Sequence, residues 1–226
     1  MKFSYEPLGK ARSFSFAQIM IMTYNQIKKD GNKYYLMRDF KEGAMNHVLH
    51  EKLGKTIMDS LSGESGYKVM LDKACGGHRT LPLFMSKVKR RDTEICDVDI
   101  LVVKDGKVKA IIEIEESDVK PNQICGKFLT SALASFYSNG KGPLQDLNSP
   151  IAFIQVLDES KLKIDKTGKL KQWGNIEKAI CRILPVGNSQ INVYRIFGFN
   201  GSEDQYEKQA ALLIGFLKGC CYSISQ

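Results

Sequence analysis

Two apolar segments joined by a short turn constrain the fold of this 226-residue chain more than any other feature. Segments 95–103 and 108–115 are rich in Ile and Val, which favour β-strands. Asp105-Gly106 lies between them and is a turn sequence typical of β-hairpins. The chain is therefore expected to build a sheet around this hairpin.

Four carboxylates interrupt the apolar pattern of the hairpin, although strands are poor in acidic residues. They are Asp97, Asp99, Glu113 and Glu115. Because side chains alternate across a strand, the two aspartates share one face and the two glutamates share one face. A two-residue loop at Asp105-Gly106 places the pairs on opposite faces, whereas a three-residue loop with Gly106 as a bulge residue unites them. We expect the three-residue loop.

Carboxylates gathered in this way repel one another and stay ionised only when a cation lies among them. Oxygen ligands on a rigid hairpin suit Mg²⁺, with Mn²⁺ as a substitute. Asp99, Glu113 and Glu115 are therefore the predicted divalent-metal site. Asp97 is either a further ligand or an acid that supports the ligands.

The other segments alternate between helical and strand patterns. Helices are expected at 13–29, 40–61, from Pro121 through Phe136, at 173–184 and after Ser202; strands are expected at 67–71, 151–157 and 191–199. This order predicts an α/β/α sandwich with a central mixed sheet and extra N-terminal helices. We expect one domain over 1–226, with 1–39 as a helical elaboration and 40–226 as the core.

The acidic hairpin resembles the motif of the PD-(D/E)xK nuclease superfamily. Asp99 is followed, after thirteen residues, by Glu113-Ile114-Glu115. The resemblance implies a restriction endonuclease-like fold and metal-dependent cleavage of DNA. Two positions depart from the motif, because Val98 replaces its proline and Glu115 replaces its lysine.

The missing lysine leaves several alternatives open. Glu115 can serve as a metal ligand or as a general base toward the attacking water, or Lys127 or Lys120 can supply the amine. Members of the superfamily often add a carboxylate from the helix before the sheet, and Glu51 matches that position. Its neighbours His47 and His50 suggest a metal site there, but His47 and Glu51, four residues apart, are equally an ordinary helix-surface pair.

The net charge of +8 favours a polyanionic partner. Basic residues precede and follow the acidic hairpin, and we expect them to contact the phosphate backbone of DNA. They are His78, Arg79, Lys87, Lys89, Arg90, Arg91 and Lys127. The alternative for the loop residues is a flexible, solvated segment.

Together these features predict a Mg²⁺-dependent deoxyribonuclease, most similar to type II restriction endonucleases, that cuts double-stranded DNA as a homodimer. The alternatives are a repair or recombination nuclease that reads DNA shape, an inactive nucleic-acid-binding module, and an RNA-processing enzyme. No apolar run reaches the ~20 residues of a membrane span. Six cysteines without a C-x-x-C pair indicate reduced thiols, and we expect a cytoplasmic protein.

Overall fold

A five-stranded mixed sheet organises the residues that the computed structural model describes, which are 47–140, 142–163 and 165–223. The helices are α1 (Val48–Leu61), α2 (Pro121–Ala132), α3 (Lys166–Cys181) and α4 (Glu203–Ser223). The strands are β1 (Tyr67–Leu71), β2 (Pro82–Phe84), β3 (Glu94–Asp97), β4 (Ile100–Lys104), β5 (Lys107–Glu115), β6 (Phe136–Tyr137), β7 (Gln145–Asp146), β8 (Ile151–Asp158) and β9 (Ile191–Phe199). A 3₁₀ turn, Glu159–Lys161, follows β8.

The strand order of this sheet is β1-β4-β5-β8-β9. The first three strands pair antiparallel, and β5, β8 and β9 pair parallel. Every residue of β8 is buried, as its continuous apolar sequence predicts for a strand covered on both faces. The acidic end of β5 therefore lies in the middle of the sheet, beside the end of β8.

Helices cover both faces of the sheet. Leu53 and Ile57 of α1 and Leu213 of α4 pack on the face that carries Ile112, and Phe128 of α2 and Ile180 of α3 pack on the face that carries Ile111. The predicted three-layer α/β architecture with a mixed sheet is thus confirmed for the described residues. The helix predicted at 13–29 and the proposed elaboration over 1–39 lie outside them.

A second, four-stranded antiparallel sheet of order β3-β2-β6-β7 corrects two predictions. The expected strand 95–103 is broken, because β3 ends at Asp97 in the small sheet and β4 begins at Ile100 in the large one. Helix α2 ends at Ala132, and Phe136 pairs with Phe84 in the small sheet instead of extending the helix. Strand pairing here outweighs the four-residue apolar spacing that predicted a longer helix.

The turn of the acidic hairpin also differs from the prediction. Lys104 pairs with Lys107 across a two-residue loop, and Asp105 and Gly106 both have positive φ (51° and 76°), as this tight turn requires. The register then shifts by one residue, because Val103 faces Val108 whereas the preceding Val102 faces Ala110. The three-residue loop is wrong, and a β-bulge at the intervening Lys109 shifts the register instead.

Helix α1 approaches the loop after β1 closely enough that its contact surface requires glycine. A Cβ atom on Gly54 would lie 2.4 Å from the carbonyl oxygen of Cys75, which is a backbone atom. In the first turn of the same helix, His50 lies beside Asp99 and Glu116, at the start of β4 and the end of β5. None of the helices in the described part of the chain is both long and apolar enough to cross a membrane.

Candidate functional site

Lys127 of α2 joins the two glutamates of the acidic hairpin. Its Nζ atom lies 2.7 Å from Glu113 Oε2 and 2.8 Å from Glu115 Oε1. The two carboxylates lie two residues apart on β5, so both face α2, and Lys127 reaches them from that helix. The amine predicted as an alternative to the motif lysine is therefore in contact with both acids.

Glu113 is the most buried acid of the hairpin, with a side chain that is 3% exposed. Burial raises the pKa of its carboxyl group, and the negative charges of Asp99 and Glu115 raise it further. Lys127 opposes this rise but does not cancel it, so the pKa of Glu113 is about 8. An additional cation beside Glu113 would favour its ionised form.

Asp99 lies between β3 and β4, and its side chain is anchored near the end of β5. Continuing the pairing of Ile100 with Ile112 by one residue places Asp99 opposite Glu113. The Asp99 Oδ2 atom accepts a hydrogen bond of 2.6 Å from the backbone N–H of Ile114. This backbone bond fixes the carboxylate beside the end of β5.

His50 of α1 connects Asp99 to Glu116. Its Nε2 atom lies 3.6 Å from Asp99 Oδ2, and its Nδ1 atom lies 2.9 Å from Glu116 Oε1. The same Glu116 oxygen accepts a 2.8 Å bond from the backbone N–H of His50. Burial lowers the pKa of His50, but hydrogen bonds to Asp99 and Glu116 and the charges of both acids raise it to about 9.

We call Asp99, Glu113, Glu115 and Glu116 the acidic cluster. Four carboxylates face two basic side chains, Lys127 and His50, within hydrogen-bond or ion-pair distance. The excess of acidic groups and the oxygen-only character of Asp99, Glu113 and Glu115 suit a hard divalent cation such as Mg²⁺. The predicted ligands therefore have the chemistry that Mg²⁺ prefers, but among the described residues the potential ligands that converge within 4.8 Å are His47, His50 and Glu116, not Asp99, Glu113 and Glu115.

Three predicted residues lie away from these contacts. Glu51 is exposed on α1, because the buried face of that helix carries His50, Leu53 and Ile57. Asp97 ends β3 in the small sheet, where it bonds to Thr80, so the shared strand face that linked it to Asp99 does not exist. Lys120 is exposed at the N-cap of α2, and its backbone N–H donates to Gln123.

The predicted phosphate-contacting residues of the loop are exposed, and several already have protein partners. Lys89 Nζ donates to Ser138 Oγ at 2.9 Å and to the Gly140 carbonyl oxygen at 2.8 Å. Lys87 and Arg90 form surface ion pairs with acidic neighbours, while His78, Arg79 and Arg91 are exposed. These contacts order part of the basic segment on the small sheet.

A second set of potential ligands includes histidine. One ligand atom from each of His47, His50 and Glu116 lies within 4.8 Å of the others. The sequence carried a signal for His50 that the prediction of Glu51 passed over: His50 stands three and seven residues before Leu53 and Ile57, on the apolar face of α1.

A comparison with protein-family models, curated proteins and solved structures found no match.

Proposed function

We propose that this chain is a Mg²⁺-dependent endonuclease that hydrolyses phosphodiester bonds of double-stranded DNA. The observation that carries the proposal is the position of Lys127, whose amine contacts Glu113 and Glu115 next to Asp99. Lys127 would take the role of the lysine that the PD-(D/E)xK motif carries where this chain has Glu115.

Asp99, Glu113 and Glu115 would hold the cation, with Mn²⁺ as a substitute for Mg²⁺. When bound, the cation would polarise the scissile phosphate and lower the pKa of an attacking water. Lys127, which contacts Glu113 at 2.7 Å, would orient that water and offset negative charge that develops on the phosphate. The His50 imidazole holds Asp99 toward the end of β5 as a positioning residue.

Among nucleases, we propose that this protein is a type II restriction endonuclease with a restriction endonuclease-like core. Its support is the order of strands around the acidic hairpin, with β4 and β5 antiparallel and β5 and β8 parallel, and helices on both faces. By the same resemblance we propose a cytoplasmic protein that acts as a homodimer on a short site. The basic side chains His78, Arg79 and Arg91 would contact phosphates.

The site assignment is tested by cleavage of plasmid DNA in the presence and absence of Mg²⁺. Asp99→Asn, Glu113→Gln and Lys127→Met should each lower the cleavage rate by at least ~100-fold, because each removes a ligand or the proposed catalytic amine. Lys120→Met is the matched control and should cleave as the wild type does. Equal cleavage by all four variants would overturn the assignment.

The substrate is tested separately with the wild-type protein. Discrete plasmid fragments are expected for a restriction endonuclease. Preferential cleavage of branched DNA would instead identify a repair or recombination nuclease, and cleavage of RNA alone would overturn the proposal of a DNA substrate.

A further inference from the structure

We propose that His47, His50 and Glu116 form a second metal site, which binds a borderline dication such as Zn²⁺ in preference to Mg²⁺. Their ligand atoms lie within 4.8 Å of one another, where two nitrogen donors meet one carboxylate. Imidazole nitrogen suits Zn²⁺ and related transition metals, whereas Mg²⁺ prefers oxygen ligands. This inference does not depend on the proposed nuclease activity.

The geometry of α1 brings the two imidazoles together. His47 is the N-cap residue and His50 lies in the first turn, three positions later, so both side chains emerge on one side of the helix. Their ring centroids are 4.9 Å apart with the planes at 78°. Two ligands at about 2.1 Å from a zinc ion lie only ~3–4 Å apart, so small side-chain rotations complete the site.

Glu116 is held in place to serve as the third ligand. The backbone N–H of His50 donates to its Oε1 atom, and this bond does not depend on the protonation of the imidazole. The Nδ1 atom of His50 already lies 2.9 Å from the same oxygen, so the two donors need to separate by only roughly 0.5 Å to bind one tetrahedral ion. The negative charge of Glu116 also offsets the positive end of the α1 dipole.

His50 is shared between this site and the acidic cluster. When Nδ1 binds a cation, the remaining proton of the neutral ring stands on Nε2, which faces Asp99 Oδ2 at 3.6 Å. Asp99 then acts as the carboxylate that orients a metal-bound imidazole, as is common for histidine ligands. The described residues thus include the three ligands of the second metal site and an acid that supports one of them.

The full chain is titrated with Zn²⁺ in a calorimeter. In a separate titration Co²⁺ serves as a spectroscopic probe, and neither solution contains Mg²⁺. One tightly bound ion per chain is expected, and an ion at the oxygen-only set of Asp99, Glu113 and Glu115 should bind more weakly. His47→Gln and Glu116→Gln should weaken binding by at least ~10-fold. His47 is a suitable target because it is exposed and its side chain makes no capping hydrogen bond.

Two controls separate this site from others. His78→Gln removes an exposed histidine, and Glu113→Gln alters the oxygen-only set, so both should bind Zn²⁺ within ~2-fold of the wild type. Unchanged affinity of His47→Gln for Zn²⁺ would overturn the proposal. So would a loss of Zn²⁺ affinity in Glu113→Gln as large as the loss in His47→Gln. Absorption from a cobalt–thiolate bond would assign the ion to cysteines instead and would also overturn it.

Discussion

Lys127 and His50 each contact a different pair of acids in the acidic cluster. Lys127 binds Glu113 and Glu115, and His50 binds Asp99 and Glu116. Burial disfavours the charge of a carboxylate, and each basic partner opposes this effect, although Lys127 does not cancel it for Glu113. The two basic side chains therefore offset part of the repulsion among the four acids.

The raised pKa of His50 predicts how the metal-free protein responds to pH. The pKa in the fold, about 9, exceeds the ordinary value of 6.5, so protonated His50 stabilises the fold. This contribution is complete below pH 6.5 and is lost as the pH rises through 9. The destabilisation caused by His50→Asn should therefore shrink from low to high pH by at most about 3 kcal/mol.

Chemical denaturation in a metal chelator measures this difference at pH values below 6.5 and above 9. Glu116→Gln should reduce the pH dependence in an otherwise wild-type protein, because it removes one of the two acids that stabilise the imidazolium. If His50→Asn destabilised the protein equally at both pH values, the interaction of His50 with the acidic cluster would have to be reconsidered.

At the scale of elements, the position of α1 depends on its contact with the loop after β1. Most helix glycines can be replaced by alanine with a gain in stability, because alanine has the higher helix propensity. Gly54 is different, since an added Cβ would meet the Cys75 carbonyl oxygen at 2.4 Å. The helix would have to move, and His50 with it.

Gly54→Ala should therefore lower the free energy of unfolding by roughly 1–3 kcal/mol, the usual cost of overpacking. Gly174→Ala in α3 is the matched control, because a Cβ there meets nothing within 4 Å. That substitution should raise the free energy of unfolding by up to ~1 kcal/mol. Both values come from urea denaturation, and a stabilising Gly54→Ala would contradict the proposed contact.

Some element boundaries were predicted less well than element types, since the helix predicted at 173–184 runs over Lys166–Cys181. Strands at 67–71, 151–157 and 191–199 were predicted and are confirmed with a difference of at most one residue. The Asp105-Gly106 signal correctly located the turn but not its length, and the bulge at Lys109 has no sequence signature. A bulge forms to match side chains to the core on both faces, which is a tertiary requirement.

At the scale of the whole molecule, the charge of +8 predicts salt-dependent binding to DNA. Removing one side chain that binds a phosphate reduces the slope of log affinity against log salt by about 0.9. Arg91 is exposed, so Arg91→Ala should reduce the slope by about this amount. Lys218→Ala is the control, because that lysine is paired with Glu64, and it should leave the slope unchanged.

Fluorescence anisotropy with a labelled duplex measures these slopes in the Glu113→Gln background, so that cleavage does not consume the DNA. An unchanged slope in Arg91→Ala would exclude this residue from the phosphate-binding surface. An equal reduction of the slope in Lys218→Ala would indicate that the whole charge of the chain, and not the basic loop, governs the affinity.

The sequence by itself determined the three-layer α/β class, the central strands and the presence of acids at the end of β5, because apolar periodicity and turn residues are local signals. Only the tertiary structure decided which side chains meet these acids. Lys127 and His50 come from different helices that pack on opposite faces of the sheet, and Asp97 is separated by a strand break. Such contacts depend on helix packing and strand pairing between distant segments, which no local pattern specifies.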